Sequence, residues 1–396
     1  MEGRRVAVTG VGVVSSCGMG VDAFWAGLTS SPPDGERRVR DFDPASVFDN
    51  VKEARRADRV TQLALAAATQ ALAQAGDIDG DPLRRGVLIA TGIGGIATLE
   101  EQITLYAERG ARRVSPFLVP MMMPNAPSAT VSMRWGWQGP CQTVSTACAA
   151  GTHALVDAAT WVASGRCDVV AAGGSEAPMT PVSMAGFTNM TAMSSRGVSE
   201  PFSATRDGFV IAEGAAVLIL EAWDVAQARG ATILAEILGG ASTADAHHIT
   251  APSPGGRGAL SCMEVALAAS GLGPDDVVHV NAHGTSTPLN DAAEAEAMAK
   301  LFGATPGPAV TSIKGVTGHS LGAAGAIEAV AVVESMRRRL IPPTAVTTEV
   351  DPELPPIDLV VGAARAWEPG PTLSNSFGFG GHNGTLVLGT GGSSTN

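Results

Sequence analysis

A single cysteine, Cys148, lies in a run of small residues, Val144–Ser145–Thr146–Ala147–Cys148–Ala149–Ala150–Gly151. The pattern predicts a helix starting there, with Leu155, Ala158, Trp161 and Val162 as an apolar stripe and Gly165 as its stop. A thiol in a first helical turn feels the positive end of the helix dipole, which lowers its pKa and favours the thiolate nucleophile. Small neighbours leave room for a substrate carbonyl. The competing reading is that free cysteine is a small buried hydrophobe. Three later segments also concentrate reactive side chains. Asn281–Ala282–His283–Gly284–Thr285–Ser286–Thr287–Pro288 puts a histidine on a loop after a strand. Ser312–Ile313–Lys314–Gly315–Val316–Thr317–Gly318–His319–Ser320–Leu321–Gly322 puts a lysine and a second histidine just before a long helix. Ser374–Asn375–Ser376–Phe377–Gly378–Phe379–Gly380–Gly381–His382–Asn383 is glycine-rich, and such loops offer backbone N–H groups to a developing oxyanion. Loops after strands deliver side chains into clefts, which favours a chemical role for these histidines.

Two motifs compete. Gly318–His319–Ser320–Leu321–Gly322 fits the G-x-S-x-G elbow of serine hydrolases, and Asp358 and His382 follow in the required order. A serine esterase using Ser320 is therefore the rival on residues alone. Against it, the preceding strand would have to carry Lys314 and Gly315, and most of the upstream chain would have no role. Gly10–Val11–Gly12–Val13–Val14–Ser15 nearly matches G-x-G-x-x-G but lacks the third glycine and a later acid, so dinucleotide binding is not expected.

The elements that must position these groups alternate. Strands are expected at Val6–Val8, Val87–Ala90, Val169–Ala172, Val217–Leu220, Val277–Val280, and Leu373–Ser374 with Thr385–Leu388. Helices are expected at Thr61–Gln74, after Cys148, and at Leu260–Ser270, Asp291–Leu301 and Leu321–Arg338. That rhythm indicates an α/β protein. Each half holds a buried strand running into a Gly/Thr/Ser loop, at 87–95 and 278–286, which hints at a duplicated unit. Of 396 residues 45% are hydrophobic and 16% charged, a composition that buries a large core. No apolar run approaches about 18 residues, so no membrane span is expected. The net charge of −12 argues against nucleic-acid binding. Arg55–Arg56–Arg59, Arg112–Arg113 and Arg337–Arg339 are local basic patches, read from charge alone as solvated helix faces. Five scattered cysteines without a C-x-x-C pair argue for a reducing cytoplasm rather than a disulfide framework, and the seven histidines form no zinc spacing with them.

In this order the four motifs resemble the β-ketoacyl-acyl-carrier-protein synthases of the thiolase superfamily, and among them the elongating type I/II enzymes with a Cys-His-His triad. The likeness spans nearly the whole chain. It implies a thiolase fold with duplicated halves in five α-β-α-β-α layers: residues 1–235 would carry the nucleophile, and 236–396 the two histidines and the lysine. It also implies roles. Cys148 would hold the acyl chain, with its own N–H and that of Phe379 as the oxyanion hole. His283 and His319 would stabilise the enolate formed when malonyl-carrier loses CO₂. Lys314 would set the electrostatics with Glu328 as its partner, and His153 would be structural. Thr285 and Thr287 would bind the pantetheine arm, Phe379 would gate the acyl pocket, and Asp245 and His248 would form a second mobile loop. Ile93 would wall the pocket at a dimer interface, and Arg112 and Arg113 would dock an acidic acyl carrier protein. The phosphopantetheine belongs to that carrier, so no cofactor of the enzyme's own is expected. A homodimer is implied, or a heterodimer with a sister subunit if the chain serves a type II polyketide or polyene system. The stretches 43–59 and 193–203 look shorter than in the elongating enzymes, which leaves carrier choice open.

Overall fold

The computed structural model describes residues 3–33, 35–303 and 307–392. In the first half of the chain run β1 (Val6–Ser15), β2 (Arg85–Ala90), β3 (Cys141–Gln142), β4 (Val169–Glu176) and β5 (Gly214–Ala222). The second half supplies β6 (Ala235–Ala244), β7 (His279–Asn281), β8 (Ala309–Thr311), β9 (Thr372–Gly378) and β10 (His382–Thr390). Each set assembles in one order, β3-β2-β4-β5-β1 and β8-β7-β9-β10-β6. In each, the first three strands are mutually parallel and the last two pairings are antiparallel. The two sets meet where β1 pairs antiparallel with β6. Shared order and shared direction establish the duplication at which the two strand-into-loop segments hinted.

Helices α1 (Arg59–Ala75), α2 (Ile96–Arg109), α3 (Ala126–Trp135), α4 (Ala150–Ala163), α5 (Pro181–Asn189), α6 (Arg257–Ser270), α7 (Pro288–Phe302) and α8 (Ala324–Arg338) complete the frame. α1 covers the outer face of the first half and α6 that of the second. α4 and α8 pack together and against strands of both halves, so the layers run helix, sheet, helix, sheet, helix. This position explains why α4 is not the one-striped helix its pattern predicts. Only Asp157 and Thr160 of α4 reach solvent, because a sheet lies on either side. Its alanines and glycine keep it thin enough for that layer.

The near-miss dinucleotide motif turns out to be strand β1 pressed against α1. A Cβ at Gly10 would fall 2.2 Å from the Ala71 carbonyl oxygen, and one at Gly12 2.0 Å from that of Ala67, so close backbone approach requires glycine. Several elements exceed the sequence expectation. β6 is rich in Gly and Ala and carries little β-branched signal, and β7 starts two residues later than Val277, which ends a 3-10 turn. The third basic patch is tied into the fold: Arg337 and Arg338 pair with Glu334, and Arg339 pairs with Glu368. Arg59 of the first patch pairs with buried Glu213. Among the described residues, no helix is long and apolar enough to cross a membrane.

Candidate active site

Cys148 sits in a 3-10 turn, Ala147–Ala149, that opens α4. The matching turn in the second half, Leu321–Ala323, opens α8, and His319 lies two residues before it. Both turns begin on a non-glycine residue in the left-handed region, Ala147 at φ 49° and Leu321 at φ 44°. Such conformations cost roughly 1–3 kcal/mol each and persist where surrounding structure enforces them. His283 arrives on the loop after β7 and Phe379 on the loop after β9. Duplication therefore delivers two helix starts and two strand ends to one cavity of about 270 Å³, lined by Cys148, His283, His319 and Phe379.

The two imidazoles stand edge to face, with ring centroids 5.4 Å apart and planes 82° apart. Both are 1% exposed. Burial, helped by the nearby Lys314 ammonium, holds both well below the ordinary histidine pKa, so they are neutral. Lys314, itself buried, donates to the Glu328 carboxylate and to the His283 carbonyl at 2.6 Å, and its Nζ lies 3.4 Å from His283 Nδ1. An ammonium has no lone pair, so Nδ1 is the acceptor and the neutral ring carries its proton on Nε2. Phe209 packs edge-on against His319 at 5.0 Å, and the His319 backbone is stapled to Val210 and Ala212. Burial pushes Glu328 upward against the pull of Lys314.

The nucleophile departs from the sequence expectation. Cys148 is 6% exposed, and burial pushes its thiol up to about 12. Lys314 and the N–H groups of Phe379 and Cys148 pull it down, while Glu176 pushes it further up. Desolvation of the charged form outweighs the benefit of the helix start, so the resting group is a thiol. Iodoacetamide alkylation of Cys148 is accordingly expected to keep accelerating as pH rises past 9. A plateau reached below pH 8 would contradict a buried, protonated resting state.

The remaining expected residues divide. Thr285 and Thr287 line the cavity with their hydroxyls 2.9 Å apart, and Thr287 also caps α7. Asp245 lines it too, but its carboxylate is anchored by Ser253 N at 2.9 Å and Asn383 Nδ2 at 2.8 Å. Its segment is bonded to the Phe379 loop through Asp245 N to Gly381 O and Gly380 N to Ile249 O. His248 does not line the cavity. It sits on an exposed turn, where Nδ1 accepts from Thr250 N and Ala251 N. Ile93 is outside the lining as well and packs into the apolar cluster around Cys148 with Phe209 and Leu321. Arg112 and Arg113 are exposed in the turn after α2 and form no ion pair among the described residues. His153 bridges Thr146 Oγ1 at 2.8 Å and the Asn383 carbonyl at 2.9 Å, bracing the backbone just before the nucleophile.

The serine constellation is not assembled. Ser320 is 3% exposed, Asp358 pairs with Arg365, and His382 lies beside His153. Two carboxylates escaped sequence reasoning. Glu294 of α7 accepts from His283 N and Gly284 N at 2.8 Å each, bracing the histidine loop. Its signal was weak, one of three acids in the alanine-rich run Asp291–Ala292–Ala293–Glu294–Ala295–Glu296. Glu176 is the other, signalled by an acid closing an otherwise apolar strand.

A duplicated five-layer body with a buried cysteine facing two neutral imidazoles defines a thiolase-fold condensing enzyme. The family model for "Beta-ketoacyl synthase, N-terminal domain" matches residues 33–226, and that for the C-terminal domain matches 234–348. The chain belongs to the β-ketoacyl synthase family. It is 43% identical to a 3-oxoacyl-[acyl-carrier-protein] synthase 2 of Synechocystis, covering 98% of both chains. With the enzyme of that name from Staphylococcus aureus it shares 41% identity, again over 98% of both. Among solved structures, a β-ketoacyl synthase from Burkholderia phymatum superposes with a TM-score of 0.90 at 33% identity, covering 98% of this chain and 99% of that one. The ishigamide ketosynthase/chain length factor superposes at 0.92 with 31% identity over 98% and 99%. A type II polyketide ketosynthase in complex with its acyl-carrier protein does so at 0.88 with 32% identity over 98% and 100%.

Proposed function

We propose that the protein is a 3-oxoacyl-[acyl-carrier-protein] synthase that elongates acyl chains by decarboxylating Claisen condensation. The observation that carries this reading is the convergence of Cys148, His283 and His319 on one buried cavity beside Lys314. Cys148 attacks the acyl-carrier thioester. The acyl carbon gains a bond to Sγ and loses its bond to the carrier sulfur, which leaves with the proton as free thiol. The N–H groups of Cys148 and Phe379, which pull the thiol's pKa down, stabilise the tetrahedral oxyanion. Malonyl-carrier then enters. Its C–C bond to the carboxylate breaks, CO₂ departs, and the electron pair becomes an enolate whose oxygen accepts hydrogen bonds from the two neutral imidazoles. A cationic pair would protonate that carbanion rather than preserve it. Attack of the enolate carbon on the acyl-enzyme carbonyl expels Cys148 as the thiolate, which takes a proton from solvent to restore the resting thiol, and yields a 3-oxoacyl-carrier two carbons longer.

The experiment supplies acyl-carrier and malonyl-carrier and maps intermediates by mass spectrometry. The expected result is an acyl adduct on Cys148 and a 3-oxoacyl product. An adduct on Ser320, or none on Cys148, would sink the reading. The mobile pantetheine arm enters on the carrier, past Thr285 and Thr287. Arg112 and Arg113 supply a local positive surface for that acidic partner on an otherwise negative protein. Reversing both to Glu is expected to raise KM for the carrier by about tenfold with little change in kcat, an effect that fades at high salt.

A dimer is supported by Leu99, Ile103 and Tyr106, exposed along one face of α2, and by β3, which ends its sheet with one edge unpaired. The ketosynthase and chain-length-factor neighbours favour a second reading, the catalytic subunit of a type II polyketide or polyene system. Native mass separates the two: a homodimer active alone supports fatty-acid elongation, and activity only with a sister subunit supports the other.

A further inference from the structure

Glu176 closes β4 with no exposed surface. Its Oε1 accepts from Thr91 Oγ1 at 2.9 Å and Ile93 N at 3.2 Å, and its Oε2 from Gly92 N at 2.6 Å and Gly322 N at 3.0 Å. The first three donors leave β2, in the half that carries Cys148. The fourth belongs to the turn that opens α8, three residues after His319. Thr91 Oγ1 also accepts from Gly94 N at 3.1 Å, which leaves its proton free to face the carboxylate. The three backbone N–H groups can only donate, so the cradle favours the anion, while burial pushes the carboxyl upward against them. The fit is tight, because a Cβ at either Gly92 or Gly322 would stand 2.7 Å from Oε2.

We propose that Glu176 is a positioning residue for the condensation, an anionic latch that holds the His319 segment of one half in register with the Cys148 site of the other. The proposal rests on the condensing-enzyme reading above. Its neighbourhood makes it more than a packing device. Two charges act on the Cys148 thiol: Lys314 favours the thiolate and Glu176 opposes it, while His283 and His319 are neutral and Asp245, on the same cavity wall, is anchored by Ser253 and Asn383. Removing the charge and shortening the reach of this side chain therefore have different signatures.

The test compares wild type with Glu176→Gln, Glu176→Asp and Thr91→Val in three assays: acyl transfer to Cys148, CO₂ release from malonyl-carrier, and iodoacetamide alkylation at pH 8. For Glu176→Gln, CO₂ release is expected to fall about tenfold or more, because small misplacements of a catalytic group are costly, while acyl transfer stays within about threefold. Loss of the neighbouring anion is expected to speed alkylation about threefold. Glu176→Asp keeps the charge but is one methylene too short to span both loops, so CO₂ release falls while alkylation stays near the wild-type rate. Thr91→Val keeps the carboxylate and removes one anchor. It decides the matter if neither Glu176 variant folds, with CO₂ release expected to fall about threefold and acyl transfer less than twofold. Equal losses in acyl transfer and CO₂ release, or wild-type rates throughout, would overturn the proposal. A wild-type protein that alkylates at Cys148 but neither accepts an acyl group nor releases CO₂ would overturn the functional reading instead, and the alkylation rates would still report the charge of Glu176.

Discussion

Replacing Cys148 with Gln is expected to abolish condensation, by about 10⁴-fold or more, while CO₂ release from malonyl-carrier continues. The two steps use different parts of one cavity. Acyl transfer needs the sulfur to form a covalent bond, and the rival nucleophile Ser320 is buried without its triad partners. Decarboxylation needs only an oxygen-binding pair of N–H donors, and those belong to His283 and His319. A glutamine side chain also ends in a carbonyl where the acyl carbonyl would lie, so it fills the space without closing the malonyl site. Measuring 3-oxoacyl product and released CO₂ in parallel on the same preparation gives the answer. Loss of both activities in a folded variant would place the nucleophile in the decarboxylation step and break the assignment of roles.

Replacing either histidine with Ala is expected to produce the converse pattern. CO₂ release should fall about 10²–10³-fold per histidine, the scale of losing one oxyanion donor in a dry site, while acylation of Cys148 survives. The physical reason is burial. Both rings are 1% exposed and neutral and line the cavity, so an N–H donor there acts on the enolate oxygen in a largely desolvated setting. The lysine beneath them is held by Glu328 and by the His283 carbonyl, a backbone contact that His283→Ala leaves in place. The variant should therefore remain folded, and a thermal melt checks that. Trapping of acyl-enzyme by mass spectrometry, alongside a CO₂ assay, separates the outcomes. If His319→Ala lost acylation as strongly as CO₂ release, His319 would be acting in the transfer step.

Much of this site was legible because its groups sit in short, unusual local contexts. A cysteine among alanines before a helix, histidines in Gly/Thr/Ser loops after strands, and a Gly-Phe-Gly loop are all signals carried within a few neighbouring residues. The α/β class and most of the strands and helices were legible for the same reason, from local periodicity. What escaped needed partners distant in sequence. Glu294 and Glu176 matter because they accept backbone N–H groups from other segments, and an acid in a helix or at a strand end does not disclose which loop it braces. His248 was named only through the family resemblance, as part of a loop beside the pocket. What its ring does there is a tertiary matter: Nδ1 accepts from Thr250 N and Ala251 N of its own turn. β6 was missed because strand signals rest on β-branched residues, and its Gly and Ala are held by pairing with β10 and β1 instead.

The sequence by itself determined the reactive inventory of this protein: a cysteine, two histidines, a lysine and a glycine-rich loop, in the order by which it resembles the condensing synthases. Those identities are covalent facts, and their local backbone preferences are set by nearest neighbours. Only the tertiary structure decided their charge states and their company. Burial between two duplicated halves keeps both imidazoles neutral, turns the expected thiolate into a resting thiol, and leaves the rival serine without a base. These are properties of the solvent each group has lost, and that loss exists only once the five layers have closed around the cavity.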